Sequence, residues 1–149
     1  MEVNQKMRMW HYELINVLPD KQLIAQWREL CCIARNIANN GTPNHLLVNK
    51  VLNYSSSDFK KYTRYVCNAI RGRGFEISDG SIGKFLSNMF DAEEYFDNSV
   101  CCSTLYSGWH NNRYLLQCFY NLQEKYDCGG ITDDEWKMIQ DKMNYLMIR

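Results

Sequence analysis

At 149 residues and 17.7 kDa, the chain is sized for one domain that buries roughly 68–70% of its unfolded surface. Hydrophobic residues at 46%, aromatics at 13% and charged residues at 23% exclude a disordered or low-complexity chain. The 17 basic and 17 acidic side chains cancel overall but not by half: residues 1–75 carry 11 Lys/Arg against 5 Asp/Glu, net +6, and residues 76–149 carry 6 against 12, net −6.

Leu23, Ile24, Trp27, Leu30, Cys31, Ala34, Ile37 and Ala38 recur at the spacing of one buried helix face, with Asp20 expected as N-cap and Asn39-Asn40-Gly41 as the stop. Thr42-Pro43 predicts a short helix running through His45 to about Asn53. The cluster Ser55 to Asp58 predicts a cap for a helix carrying Phe59, Tyr62, Val66, Ala69 and Ile70, ended by Gly72 and Gly74. Ser81 to Phe90 reads as a short helix, and Asp91 to Gly108 as an extended loop pinned by aromatics. Leu115, Cys118, Phe119, Leu122 and Tyr126 mark a helix from Asn112, closed by Gly129-Gly130. Thr132 and Glu135 form a capping box before a last helix with Trp136, Ile139, Met143 and Leu146 on one stripe. With no strand pattern, repeat or linker, the expected fold is a compact all-α bundle of about five to six helices in a single domain spanning residues 1–149.

Seven cysteines, two pairs of them adjacent (Cys31-Cys32 and Cys101-Cys102), suit reduced core thiols better than a disulfide framework. No CxxC occurs, and His11, His45 and His110 show no zinc spacing, so Cys101-Cys102 with His110 is a weak metal candidate and neither metal nor cofactor is expected. No run of 18 apolar residues occurs, and the charges within the first 14 residues do not fit a signal peptide. A cytoplasmic protein with no membrane partner is expected.

The basic half is the footprint of a surface that meets a polyanion, although two halves that attract each other explain the same numbers. On the first helix Gln22, Gln26, Glu29 and Asn36 share one side, which sets a single carboxylate among neutral polar groups, with Arg28 and Arg35 on the same helix. Taken alone, such a face is that of a solvated helix.

Met7-Arg8-Met9-Trp10-His11 followed by Gln22-Leu23-Ile24-Ala25-Gln26-Trp27-Arg28-Glu29-Leu30 supplies a second signal. This arrangement resembles the pyrimidine-dimer DNA glycosylases with abasic-site lyase activity, the phage-type excision enzymes. The likeness continues through Val48 to Tyr54 and from Phe59 to Arg71-Gly72-Arg73-Gly74-Phe75, covering about half the chain. It implies an all-helical, metal-free repair enzyme that acts as a monomer on double-stranded DNA carrying a damaged base, in a bacterial or phage-infected cell. Such an enzyme cuts the glycosidic bond and breaks the strand by β-elimination through an amine Schiff base at C1′.

On the resemblance, Glu29 matches the catalytic glutamate, and Arg8 and Arg28 match arginines that grip phosphates around the lesion. Gln22 stands where the family has a histidine, and Cys32 where it has a further arginine, with Arg35 one turn on as the substitute. Trp10 and His11 are secondary candidates for contact with DNA. The family's attacking amine is the chain's own N-terminus, whereas Met1 to Lys6 precede Met7 here. Three accounts stand: a start at Met7, whose α-amine is then the nucleophile, which is the favoured one; an amine from Met1 or Lys6; or loss of the lyase step. The alternatives to an enzyme are a catalytically silent DNA-binding module and a helical protein-interaction module.

Overall fold

The computed structural model describes residues 7–92, 96 and 105–148. These form five α-helices and no strand: α1 (Asp20–Asn40), α2 (Ser56–Gly72), α3 (Asp79–Ala92), α4 (Asn112–Asp127) and α5 (Asp133–Ile148). Two 3-10 turns, Tyr12–Val17 and Asn49–Asn53, complete the order. The all-α expectation holds.

α1 is the central element. Its apolar stripe, Leu23, Trp27, Leu30, Ile33, Ala34 and Ile37, is buried, with α2 and α3 packed against it. Phe85 of α3 joins the three helices, its ring 5.9 Å from Trp27 and 5.6 Å from Phe59. Gly41 ends α1 in the left-handed conformation (φ 77°), its N–H donating to Ile37 O at 2.8 Å, as the Asn-Asn-Gly run predicts. The start differs by one residue. Pro19 is the N-cap and Asp20 the first helical residue, and the Asp20 carboxylate receives Arg73 Nη1 at 2.8 Å instead of capping the helix. Arg73 Nη2 also donates to Asn16 O at 3.0 Å, so the end of α2 is tied to the entry of α1.

The α-helix expected from Thr42 to Asn53 does not form. Asn44 is left-handed (φ 57°), Thr42 Oγ1 takes the Asn44 amide at 3.0 Å, and Asn49 Oδ1 takes the His45 amide at 3.0 Å. These side chains capture the donors a helix would use. Only Asn49–Asn53 winds up, as a 3-10 turn that buries Val51.

In the acidic half, α3 extends two residues beyond each end of the expected helix. Most of the loop expected over 91–108, including Cys101-Cys102, lies outside the described residues, as does the extension 1–6. Phe96 and Tyr106, within the described part, and Trp109 just after it are buried, so aromatics do anchor these described positions. Asn111 Oδ1 caps α4 by accepting from the Tyr114 amide at 2.9 Å. The capping box opens α5 as expected: Thr132 N–H donates to Glu135 Oε1 at 2.9 Å and Glu135 N–H to Thr132 Oγ1 at 3.2 Å. Trp136 stacks on Phe119 and Tyr126 of α4, fixing the last two helices together. Among the described residues no helix is long and apolar enough to cross a membrane, and no group of His, Cys, Asp and Glu is placed to hold a metal ion.

Candidate active site

Residues 7–11 have no regular structure, so their amides and carbonyls need partners from other elements. Side chains supply them. Gln26 of α1, with no solvent exposure, accepts the Trp10 amide on Oε1 at 2.8 Å and donates from Nε2 to Arg8 O at 3.0 Å. Tyr62 of α2 shares its one hydroxyl proton between Trp10 O at 2.5 Å and Gln26 Oε1 at 2.9 Å. Tyr114 of α4 donates to Met9 O at 2.5 Å, and Cys118 Sγ receives the His11 amide at 3.4 Å. His110 Nδ1 accepts the Tyr12 amide at 3.1 Å, which puts the proton of the neutral ring on Nε2. Burial holds this imidazole neutral, pushing its pKa down to about 2, with His11 adding to the effect.

One turn beyond Gln26, Glu29 Oε1 accepts from the same Gln26 Nε2 at 3.2 Å. Its carboxylate opens into a cavity of about 200 Å³ lined by Arg8, Trp10, Lys21, Gln22, Ala25, Glu29 and Lys125. Burial raises the Glu29 pKa to about 7, and the opposing influence is the positive charge of Lys125. Among the described residues no ion pair joins Glu29 to Lys125 within 4.0 Å. The two therefore face one cavity without closing it.

Arg8 stands with its guanidinium 5.6 Å from the Trp10 ring centre and 6.0 Å from that of Tyr114, and its Nη1 lies 3.9 Å from Cys118 Sγ. Held by aromatic faces and by no carboxylate among the described residues, the guanidinium keeps further N–H groups available to an anion. Gln22 Oε1 is buried in the cavity wall with no hydrogen-bond partner among the described residues. A half-buried carboxylate near neutrality, a held guanidinium and an unsatisfied acceptor suit a cationic or hydroxyl-bearing ligand attached to an anion.

Of the residues singled out in the sequence, Glu29, Arg8, Trp10 and Gln22 meet here. Met7 does not line the cavity; it packs half-buried against the core one residue before Arg8. Arg28 is exposed and outside it. Arg35 lines a separate cleft of about 430 Å³ with Cys31, Ser81, Lys84 and Asn88 between α1 and α3. His11 is 2% exposed, its Nδ1 accepting the Glu13 amide at 3.1 Å, so the ring supports the segment from beneath.

Tyr114 and Lys125 were not singled out in the sequence, and Gln26 and Tyr62 were placed only on a polar helix side and on an apolar helix face. Gln26 carried a signal, since it precedes Glu29 by three residues on one helix face. Lys125 carried none, lying 96 positions away in the acidic half.

Comparison with known proteins locates the chain. Neither a search of curated proteins nor one of solved structures returned a match. The family model for pyrimidine dimer DNA glycosylase matches residues 7–82, from the gripped N-terminal segment through α1 and α2 into α3. That stretch is just over half the chain and contains Arg8, Gln22, Gln26 and Glu29, and the chain belongs to the pyrimidine dimer DNA glycosylase family.

Proposed function

We propose that the Glu29 cavity is the site at which this protein excises a base from pyrimidine-dimer-type damage in double-stranded DNA and then cleaves the backbone. The observation that carries this reading is the half-buried Glu29 carboxylate, its pKa raised to about 7, facing Arg8 across a cavity of about 200 Å³. That volume is small beside the roughly 300–1,000 Å³ of sites that engulf a drug-sized molecule, so it takes a sugar and not a whole extruded nucleotide.

As the glycosidic bond breaks, the electron pair leaves with the base and the sugar becomes oxocarbenium-like. Ionised Glu29 stabilises that cation at close range in a partly desolvated site. Protonated, the same group delivers a proton to oxygen during ring opening. Arg8 holds the flanking phosphate, while Arg28 and Arg35 contact the backbone farther out. Trp10 walls the sugar site, and Gln22 accepts a hydrogen bond from the ligand. In a chain that starts at Met7, the Met7 α-amine is the nucleophile at C1′. An α-amine near pKa 7.7–8.0 is far better poised for this than an unperturbed lysine near 10.4.

The test is excision from a thymine-dimer duplex, with strand breaks counted before and after hot alkali. Breaks that need alkali report base excision alone, and breaks without it report the lyase step as well. Glu29→Gln is expected to lower both at least a hundredfold while duplex binding persists. Equal activity of wild type and Glu29→Gln overturns the reading, and binding without cleavage by the wild type leaves a silent DNA-binding module in its place.

A further inference from the structure

In the 149-residue chain the Met7 nitrogen is a peptide nitrogen joined to Lys6, so an imine at C1′ needs another amine. The cavity contains two, Lys21 and Lys125. Lys21 is exposed on the first turn of α1, whereas Lys125 is half-buried in the last turn of α4, and its charge is the influence that opposes burial at Glu29.

Its placement is fixed at both ends of the turn. The Lys125 carbonyl receives the Gly130 amide at 2.8 Å, and Tyr126 stacks on Trp136 with ring centres 5.1 Å apart. Lys125 also lies beyond residues 7–82, so the match to the family says nothing of it.

We infer that Lys125 is the catalytic amine that forms the covalent imine with an abasic sugar in the full-length chain. This rests on the excision reading above and deepens it. The Lys125 ammonium first gives a proton to water. Its free Nζ then bonds to C1′ of the ring-opened aldehyde as the C=O π pair moves onto oxygen, and a proton passes from that nitrogen to the oxygen to give a carbinolamine. Protonated Glu29 donates to that hydroxyl, water leaves, and the iminium remains. The Glu29 carboxylate next removes a C2′ proton, the C3′–O bond breaks, and its electron pair departs with the 3′ phosphate. Hydrolysis of the iminium restores Nζ. No oxidant or metal enters the balance. The open gap between Glu29 and Lys125 gives the sugar a place between carboxylate and amine.

The experiment is borohydride trapping of the 149-residue protein on a duplex with a preformed abasic site, with the adduct located by mass spectrometry, beside alkali-revealed excision on a thymine-dimer duplex. The expected result is an adduct on Lys125. Lys125→Arg, verified as folded by its melting temperature, should lose at least tenfold in both adduct and alkali-independent strand breaks, although it keeps the charge. An adduct on Lys21, Lys6 or Met1, or one undiminished in Lys125→Arg, overturns the assignment and leaves the amine mechanism standing. Abasic DNA that is bound but never trapped overturns both the assignment and the lyase step. Excision from the dimer duplex, read separately, decides the glycosylase reading.

Discussion

Gln26 Nε2 donates to Glu29 Oε1 at 3.2 Å, and the same nitrogen donates to Arg8 O at 3.0 Å. One buried amide thus sets the carboxylate and the arginine-bearing segment relative to each other. Its orientation follows from its neighbours, because Oε1 faces two donors, the Trp10 amide and the Tyr62 hydroxyl.

Gln26→Ala orphans the Trp10 amide and the Arg8 carbonyl in a dry interior. We expect a loss of about 2–4 kcal/mol in urea unfolding. Excision should fall further than the folded fraction does, since the segment carrying Arg8 loses its register on Glu29. Gln26→Glu is the sharper probe, because a second carboxylate beside Glu29 raises the pKa of the pair. The alkaline shift of its pH–rate profile is the quantity to measure.

Glu29 should give opposite results in activity and stability. Its folded pKa of about 7 lies above the ordinary carboxylate value, so between about pH 4.5 and 7 the folded state binds more protons and stability falls as pH rises. Glu29→Gln removes that loss. After discounting for the solvent on its open side, the variant is expected to be more stable than wild type by about 1–2 kcal/mol at pH 8 and level with it near pH 4. Its excision rate should be abolished. Wild-type excision should rise with pH on a limb centred near 7 as the carboxylate ionises.

His110 acts in the opposite sense. Its folded pKa, near 2, is below that of an unfolded histidine, so its contribution is present above about pH 6.5 and lost as pH falls beneath it. At pH 5 the cost is about 2 kcal/mol. His110→Gln, which keeps an acceptor for the Tyr12 amide, should flatten the acid limb of the stability curve, as thermal melts from pH 7 to 4.5 would reveal.

Arg8 and Arg35 should separate in DNA binding. Each removes about one counterion-release contact, so either alanine variant reduces the salt slope of duplex affinity by about one. Arg35→Ala should weaken damaged and undamaged duplexes alike. Arg8→Ala should, in addition, reduce single-turnover excision at saturating DNA at least tenfold, because Arg8 lines the Glu29 cavity.

The helices were legible because their signals are local. The Thr132–Glu135 box, the Asn-Asn-Gly stop and the three-to-four spacing of Leu23, Trp27, Leu30 and Ile37 each act within one or two turns. The failed helix after Thr42 shows where that logic stops: Asn44 adopts a left-handed conformation, and the Thr42 and Asn49 side chains take the amides instead. At the site, Glu29, Arg8, Trp10 and Gln22 could be found because they lie near each other in sequence on a recognisable block. Gln26 looked like part of a solvated polar face, since periodicity cannot tell an exposed amide from one that clamps a neighbouring strand of chain. Lys125 and Tyr114 reach the site only through the docking of α4, a long-range event with no short-range trace.

Tyr114 and Cys118 close over the backbone of Met9 and His11 from a helix outside residues 7–82. The stretch by which the family is recognised is therefore not a unit that can be cut out and studied. A fragment ending after α3 would leave the Met9 carbonyl and the His11 amide without their partners and would lack one wall of the cavity. Fragment complementation, with α4 and α5 supplied as a separate chain, is the form in which a divided version of this protein should regain its site.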